Sequence, residues 1–229
     1  TSTVTDAVGS TGGTFNLAGI SGLTLVENNA SANNIGGGND VQTFANVGSA
    51  ANVSVKNTFG DTLVNYTDAA LAGATDAVKL TLDNVGSGAK ISLNTASGSN
   101  GIETLAVELA GAAGSANQAV IISSNAPTGK LVVTGSGAAN LVLDGMLANT
   151  AQIDASATTG SVVLSAVGNV AHSVILGAGK DTVILGAGND TVNASAGGDR
   201  IFMGAGVDQF NANDVNGATN APAPFALGS

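Results

Sequence analysis

The chain has 229 residues, 33 of them glycine, with no cysteine, no tryptophan, one tyrosine and a formal net charge of −10. Nucleic acid is gripped by clustered lysine and arginine, and with only Arg200 and five lysines present no nucleic-acid partner is expected. Without cysteine there is no disulfide framework and no thiol chemistry, and no apolar run reaches the ~18 residues that would mark a membrane-spanning helix, so membrane insertion is not expected.

Hydrophobic residues are 44% of the chain and charged residues only 10%, with the apolar part supplied by Ala, Val, Leu and Ile rather than aromatics. Such a composition suits thin β-layers closed by small residues at turns. The chain opens on Thr1, shows no leader-like segment and ends in Gly228 and Ser229, as expected of a piece of a longer protein.

Residues 1–60 alternate short runs such as Leu23-Thr24-Leu25-Val26 and Val53-Ser54-Val55 with clusters of Gly, Asn and Ser, the pattern of many short strands. Within them the segment at 35–44, IGGGNDVQTF, places Asp40 in a glycine-rich loop, and Asp61 follows in FGDTL. A solitary calcium between Asp40 and Asp61 is a candidate there; two ordinary Asx-type turns account for the same residues.

Residues 61–125 carry the clearest alternation. Val78, Leu80 and Leu82 face one way and Lys79, Thr81 and Asp83 the other, a half-buried strand. Ile91 with Leu93, Ile102 with Leu105 and Val107, and Val120 with Ile122 repeat it. Ala-rich passages at 68–77 and 110–119 could wind a helical turn, although their glycines favour loops.

From Lys130 the candidate inward residues are Leu131, Leu141, Ile153, Val163, Val174, Val183, Val192, Ile201 and Phe210, whose spacing is uneven at first and tightens to a constant nine. The reading is an all-β chain: a parallel β-solenoid whose looser coils feed a tighter roll. A β-sandwich over the N-terminal part is the alternative, because regularly spaced short strands fit both.

The tight part consists of four consecutive nonapeptides, LGAGKDTVI, LGAGNDTVN, ASAGGDRIF and MGAGVDQFN. Asp181, Asp190, Asp199 and Asp208 recur once in each, and Gly177, Gly179, Gly186, Gly188, Gly197, Gly204 and Gly206 recur ahead of them. Glycine permits the tight turns a Cβ would oppose. A loop and a short strand together make half a coil, so every second loop falls on the same edge. That places Asp181 beside Asp199 and Asp190 beside Asp208. Carboxylates brought so close repel unless a hard cation with oxygen ligands, Ca2+ above all, sits among them and the exposed carbonyls. Two such sites are expected, and Asp214 could close a further one.

This pattern resembles the RTX family, whose G-G-x-G-x-D-x-U-x repeat winds into a calcium-loaded parallel β-roll. It departs from that repeat at Ser195, which stands where the second glycine belongs, and at Leu176, Leu185, Ala194 and Met203, which replace the first. One unit upstream VGNVAHSVI keeps the period but puts His172 in the acid position. Imidazole is a poor ligand for calcium, so His172 is expected to cap the roll, and its removal to matter little.

The stretches DAVKLTLDN at 76–84 and GIETL at 101–105 resemble text in the body of type I-secreted surface-layer (S-layer) proteins. The two resemblances imply a non-enzymatic, calcium-dependent structural protein, secreted to the bacterial cell surface and self-assembling there through lattice contacts with itself. Parts outside this chain would reach cell-surface polysaccharide. An RTX adhesin module or the non-catalytic part of an RTX exoenzyme are the alternatives. The expected organisation is an irregular solenoid over 1–165, a calcium roll over 166–215 and a loose tail over 216–229. No catalytic constellation is legible: His172, Arg200 and Tyr66 stand singly, and Glu103 with Glu108 reads as a solvated or turn-forming pair.

Overall fold

A computed structural model describes residues 2–6, 12–29, 41–86, 88–98, 100–110, 116–124, 128–143 and 150–212. Asp40, Asp214 and the whole of the tail at 216–229 lie outside them. The first strands are β1 (Ser2–Asp6), β2 (Gly13–Asn16), β3 (Leu23–Asn29), β4 (Val41–Val47), β5 (Asn52–Lys56) and β6 (Asp61–Tyr66). They are followed by β7 (Ala77–Asp83), β8 (Lys90–Thr95), β9 (Ile102–Leu109), β10 (Ala116–Ser124), β11 (Thr128–Gly135) and β12 (Ala138–Leu143). The series closes with β13 (Gln152–Thr158), β14 (Val162–Ala166), β15 (Ser173–Ile175), β16 (Thr182–Leu185), β17 (Thr191–Ala194), β18 (Arg200–Phe202) and β19 (Gln209–Ala212).

All odd-numbered strands form one ten-stranded parallel sheet and all even-numbered strands a nine-stranded one, each in chain order. Two successive strands therefore make one coil of a parallel β-solenoid, and the same two sheets run from the first coil into the nonapeptides. The β-sandwich alternative does not occur among the described residues. Their helical content is a single 3-10 turn, Asp68–Leu71, where Leu71 drops into the core.

Coil length is readable from the pairing. Val26 pairs with Val53, Val53 with Leu80 and Leu80 with Val107, an interval of three nonapeptide lengths at each step. Leu131 then pairs with Ile153 and Ile153 with Val174, at shorter intervals. From Val174 to Val192 and from Val192 to Phe210 the step is two nonapeptides. The tightening expected from the sequence is thus real, but the long coils keep a constant step on this sheet as far as Val107, and the surplus is taken up in the loops.

The core is one apolar column between the sheets, because alternate side chains of each strand point inward. Val78, Leu80, Leu82, Ile91, Leu93, Ile102, Leu105 and Val107 are all buried, as alternation requires. Tyr66 lies among them with its phenol donating to the Ala51 carbonyl at 2.8 Å, and burial pushes its ionisation upward. One inward assignment is wrong. Val162, Leu164 and Ala166 are the buried residues of β14 and Val163 faces out, since Val183 aligns with Leu164 rather than with Val163. Periodicity in a run of three apolar residues cannot tell which of two faces is buried. Phe210 on the terminal strand β19 is 36% exposed.

The outer face of the ten-stranded sheet carries the described lysine–acid ion pairs. Lys56 pairs with Glu27 at 3.0 Å, Lys79 with Glu108 at 2.6 Å and Lys130 with Asp154 at 3.2 Å, each pair linking adjacent strands of successive coils. Glu103 accepts the Asp76 N–H at 2.7 Å, so both acids of the pair considered for catalysis tie neighbouring coils together. Asparagines stack at the ends of β3, β5 and β7: Asn57 donates to Asn29 and Asn84 to Asn57. Asn57 and Asn84 adopt φ of 48° and 57°, a left-handed conformation that asparagine tolerates better than most residues.

Candidate metal centre

In the nonapeptide region strands shrink to three or four residues, and the turns between them become the dominant feature. The loop at 176–181 leads from β15 to β16 and the loop at 195–199 from β17 to β18; these share one edge of the roll. On the other edge the loop at 186–190 joins β16 to β17 and the loop at 203–208 joins β18 to β19.

Each repeat aspartate reaches back to the preceding coil on its own edge. Oδ1 of Asp199 accepts the Asp181 N–H at 3.0 Å, and Oδ1 of Asp208 accepts the Asp190 N–H at 2.9 Å. Asp181 and Asp199 are thus brought together, as are Asp190 and Asp208. Upstream the same contact continues, with Asp181 accepting the Val162 N–H at 2.8 Å and Asp190 the His172 N–H at 2.7 Å.

The second oxygens carry the chemistry. Oδ2 of Asp181, of Asp190 and of Asp199 is buried without any hydrogen-bond partner. An ionised carboxylate oxygen in that position is costly unless a proton or a cation meets it. Burial pushes the Asp181 carboxyl up to about 6, with the charge of Asp199 adding to the rise and the N–H groups of Val162 and Gly177 opposing it. Burial raises Asp199 as well, against the N–H groups of Asp181 and Ser195.

Glycines pack these loops coil on coil. A Cβ at Gly179 would collide with the Gly160 carbonyl and one at Gly197 with the Gly179 carbonyl; Gly177 meets Thr158 in the same way. On the opposite edge Gly186 lies against Gly168, Gly188 against Val170, Gly204 against Gly186 and Gly206 against Gly188, always with the carbonyl oxygen where the side chain would be. Gly204 also takes φ of 83°, a conformation costly to a residue with a Cβ. Ser195, the departure from the repeat, donates its hydroxyl to the Gly177 carbonyl, and so engages an oxygen that glycine at its own position would leave open.

Among the described residues no three acidic, histidine or cysteine side chains converge. Any ion here has two carboxylates at most and must complete its shell with carbonyls and water, donors suited to calcium, which takes six to eight oxygens in flexible geometry. Residues 175–210 match the RTX calcium-binding nonapeptide repeat family, in four copies. Calcium is the ion that such repeats bind. No curated protein and no solved structure matches the chain.

The remaining candidates fall elsewhere. Asp61 begins β6, and its Oδ1 accepts the Lys90 N–H at 2.8 Å, reaching forward to the following coil where the repeat aspartates reach back. Val41 pairs with Asp61 in register; Asp40, the other acid considered for a solitary site, lies outside the described residues. His172 is buried, its Nδ1 3.3 Å from Asp190 Oδ1. Because a buried ring leaves a cavity when truncated, its removal is now expected to lower stability rather than to matter little.

Proposed function

We propose that Asp181, Asp190, Asp199 and Asp208 hold calcium between successive loops of each edge, with loop carbonyls in the regions of Gly177, Gly179, Gly186, Gly188, Gly197, Gly204 and Gly206 completing the shells. The observation that carries this reading is the set of three buried, unpartnered carboxylate oxygens of Asp181, Asp190 and Asp199. Calcium binding is then part of the folding free energy of the roll, since the ligands come together only in the coil. The segment is a non-enzymatic structural module of a secreted protein. In a cytosol poor in calcium the roll stays unfolded and exportable, and outside the cell it folds.

The finer reading is an S-layer type of protein that assembles with copies of itself at the bacterial surface. Its support is the uninterrupted solenoid together with the sequence resemblance at 76–84 and 101–105. Calorimetric titration of the decalcified chain tests the first part: sites of this kind bind at about 10⁻⁴ to 10⁻³ M, and midpoints below about 10⁻⁶ M would imply loading before export and end the secretion-coupled reading. Electron microscopy of the purified chain with and without calcium tests the second, with ordered sheets only in calcium as the expected result.

A further inference from the structure

The loop at 167–172, which joins β14 to β15, lies outside the residues matched by the nonapeptide family yet has the backbone of one of its loops. The Ala187 N–H donates to the Gly168 carbonyl at 2.6 Å, as the Ala205 N–H donates to Gly186 at 2.9 Å. The Thr191 N–H donates to the His172 carbonyl at 2.8 Å, as that of Gln209 does to Asp190 at 2.8 Å. The His172 N–H meets Asp190 Oδ1 as the Asp190 N–H meets Asp208 Oδ1. Gly168 and Val170 present their carbonyls to Gly186 and Gly188 just as these present theirs to Gly204 and Gly206.

What differs is the side chain in the acid position. The ring of His172 is fully buried, and its Nδ1 lies 3.3 Å from Asp190 Oδ1. We propose that 167–172 is a fifth loop of the calcium array, closed to metal by His172, and that this one side chain sets where the array begins on its edge. The proposal rests on the calcium reading given above.

The chemistry is direct. Between Asp190 and Asp208 two carboxylates face one gap, whereas between His172 and Asp190 there is one, and the Nδ1–H tautomer of the ring donates to an oxygen of it. A nitrogen donor suits a hard cation poorly, so the ring fills the place of a second carboxylate beside Asp190 Oδ1, while Asp190 Oδ2 stays unpartnered for the ion shared with Asp208. On the opposite edge the array also stops, by another means. There Val162 occupies the position before Asp181, and its side chain is buried in the core, where a carboxylate could not reach the loop. Only on the His172 edge would a single substitution reopen a site.

The test is calcium stoichiometry on the full chain by equilibrium dialysis with atomic emission, for wild type, His172→Asp, His172→Asn and His172→Ala. His172→Asp should hold one more calcium per chain than wild type, and its melting temperature should climb more steeply with calcium. His172→Ala should hold the wild-type number while melting lower. An unchanged count in His172→Asp, or an ion lost in His172→Ala, overturns the proposal. Should His172→Asp fail to fold, His172→Asn supplies a side-chain oxygen without a second charge; it should gain an ion at millimolar calcium, and no gain there overturns the proposal equally. Wild type binding calcium with no gain in the variants sinks the closed-loop assignment alone, whereas wild type binding none sinks the calcium reading beneath it.

Discussion

The long coils before residue 144 and the nonapeptide coils after residue 166 share the same two sheets but are held together differently. In the long coils the interior is wide enough for Tyr66, Phe44, Leu71, Leu80 and Ile91, all buried, and the ion pairs Lys56–Glu27 and Lys79–Glu108 lie outside, at the sheet surface. In the nonapeptide coils the interior narrows to Val174, Val183, Val192, Leu176, Leu185 and Ala194, and the carboxylates of Asp181 and Asp190 are buried instead. A coil that has gone from three nonapeptide lengths to two has shed apolar contact with the residues it lost. On the calcium reading proposed above, the loops then supply the cohesion through an ion that binds only when two coils are stacked. On that reading one fold uses hydrophobic burial at one end and ligand binding at the other.

Removal of calcium should break this comparison most visibly. Each site filled at about 100 times its dissociation constant adds about 2.7 kcal/mol, so loss of more than one site removes most of what a thin roll has. EGTA should abolish hydrogen-exchange protection over residues 173–212 and reduce the β signal in circular dichroism, while protection over residues 52–109 persists. Magnesium should restore little, because it demands a smaller octahedral shell and keeps its waters. An unchanged spectrum after exhaustive chelation would refute the division.

Next in size is a pair of substitutions, one in each region. Leu80→Ala deletes a fully buried side chain and should destabilise the long coils by about 2–5 kcal/mol, equally with and without calcium. Asp190→Ala removes a carboxylate that faces Asp208 across one gap. It should lower the melting temperature of the roll in calcium, by the loss of about one site's worth of linkage, about 2–3 kcal/mol at saturating calcium. In EGTA it should have no such effect. Equal calcium dependence for the two variants would show that the regions do not differ in what holds them.

Proton dependence separates the regions by sign. Burial lifts Asp181 to about 6 from an unfolded value near 3.9, so without metal the folded roll binds that proton more tightly than the unfolded chain. Its stability should therefore fall as pH rises from about 4 through about 6. In calcium the ion competes with the same proton, and affinity should weaken as pH drops through about 6. Outside the nonapeptide coils the shifts run the other way: a hydrogen bond from Lys79 holds Glu108 low, and one from Ser156 holds Asp154 low. Their contribution is present above the unfolded carboxylate range and fades as pH falls below it. Calcium titrations between pH 5 and 8, read by local hydrogen exchange, should show the midpoint for residues 173–212 rising as pH drops through about 6, while protection over residues 52–109 changes little.

These differences explain what could be read in advance. A nine-residue period held by Asp181, Asp190, Asp199 and Asp208 leaves no freedom of register, so the edge on which each acid falls and its partner two units on follow from counting. The two-sheet solenoid followed from the tightening spacing. The even step through Val26, Val53, Leu80 and Val107 was hidden, because loops of unequal length on the two edges blur it in the linear order. Val163 was placed inward because VVL offers both faces an apolar residue. The burial of His172 was not legible either: a histidine in the acid position reads only as a cap on the roll, and it is the stacking of the loop at 167–172 on the loop at 186–190 that puts the ring against Asp190. The coil-to-coil roles of Glu103 and Glu108 needed partners one coil earlier, Asp76 and Lys79, which only the folded register supplies.

The smallest expected effect is the sharpest on what the outer charges do. Lys79 and Glu108 approach to 2.6 Å, but their side chains are 47% and 40% exposed, and exposed pairs of this kind contribute about 0–1 kcal/mol. Lys79→Met keeps the aliphatic stem and deletes the charge. It leaves Glu108 with the Thr81 hydroxyl at 3.2 Å and with solvent, so the acid is not stranded. The melting temperature in calcium should shift by no more than about 2–4 °C for a domain of this size, and the shift should shrink further in about 0.5 M salt, where screening acts within a few ångströms. The contrast with Asp190→Ala is the point of the measurement: both remove one charge from a coil-to-coil contact, and only the buried one is tied to an ion. A Lys79→Met loss as large as that of Asp190→Ala would mean that surface pairing, not core burial, holds the long coils together.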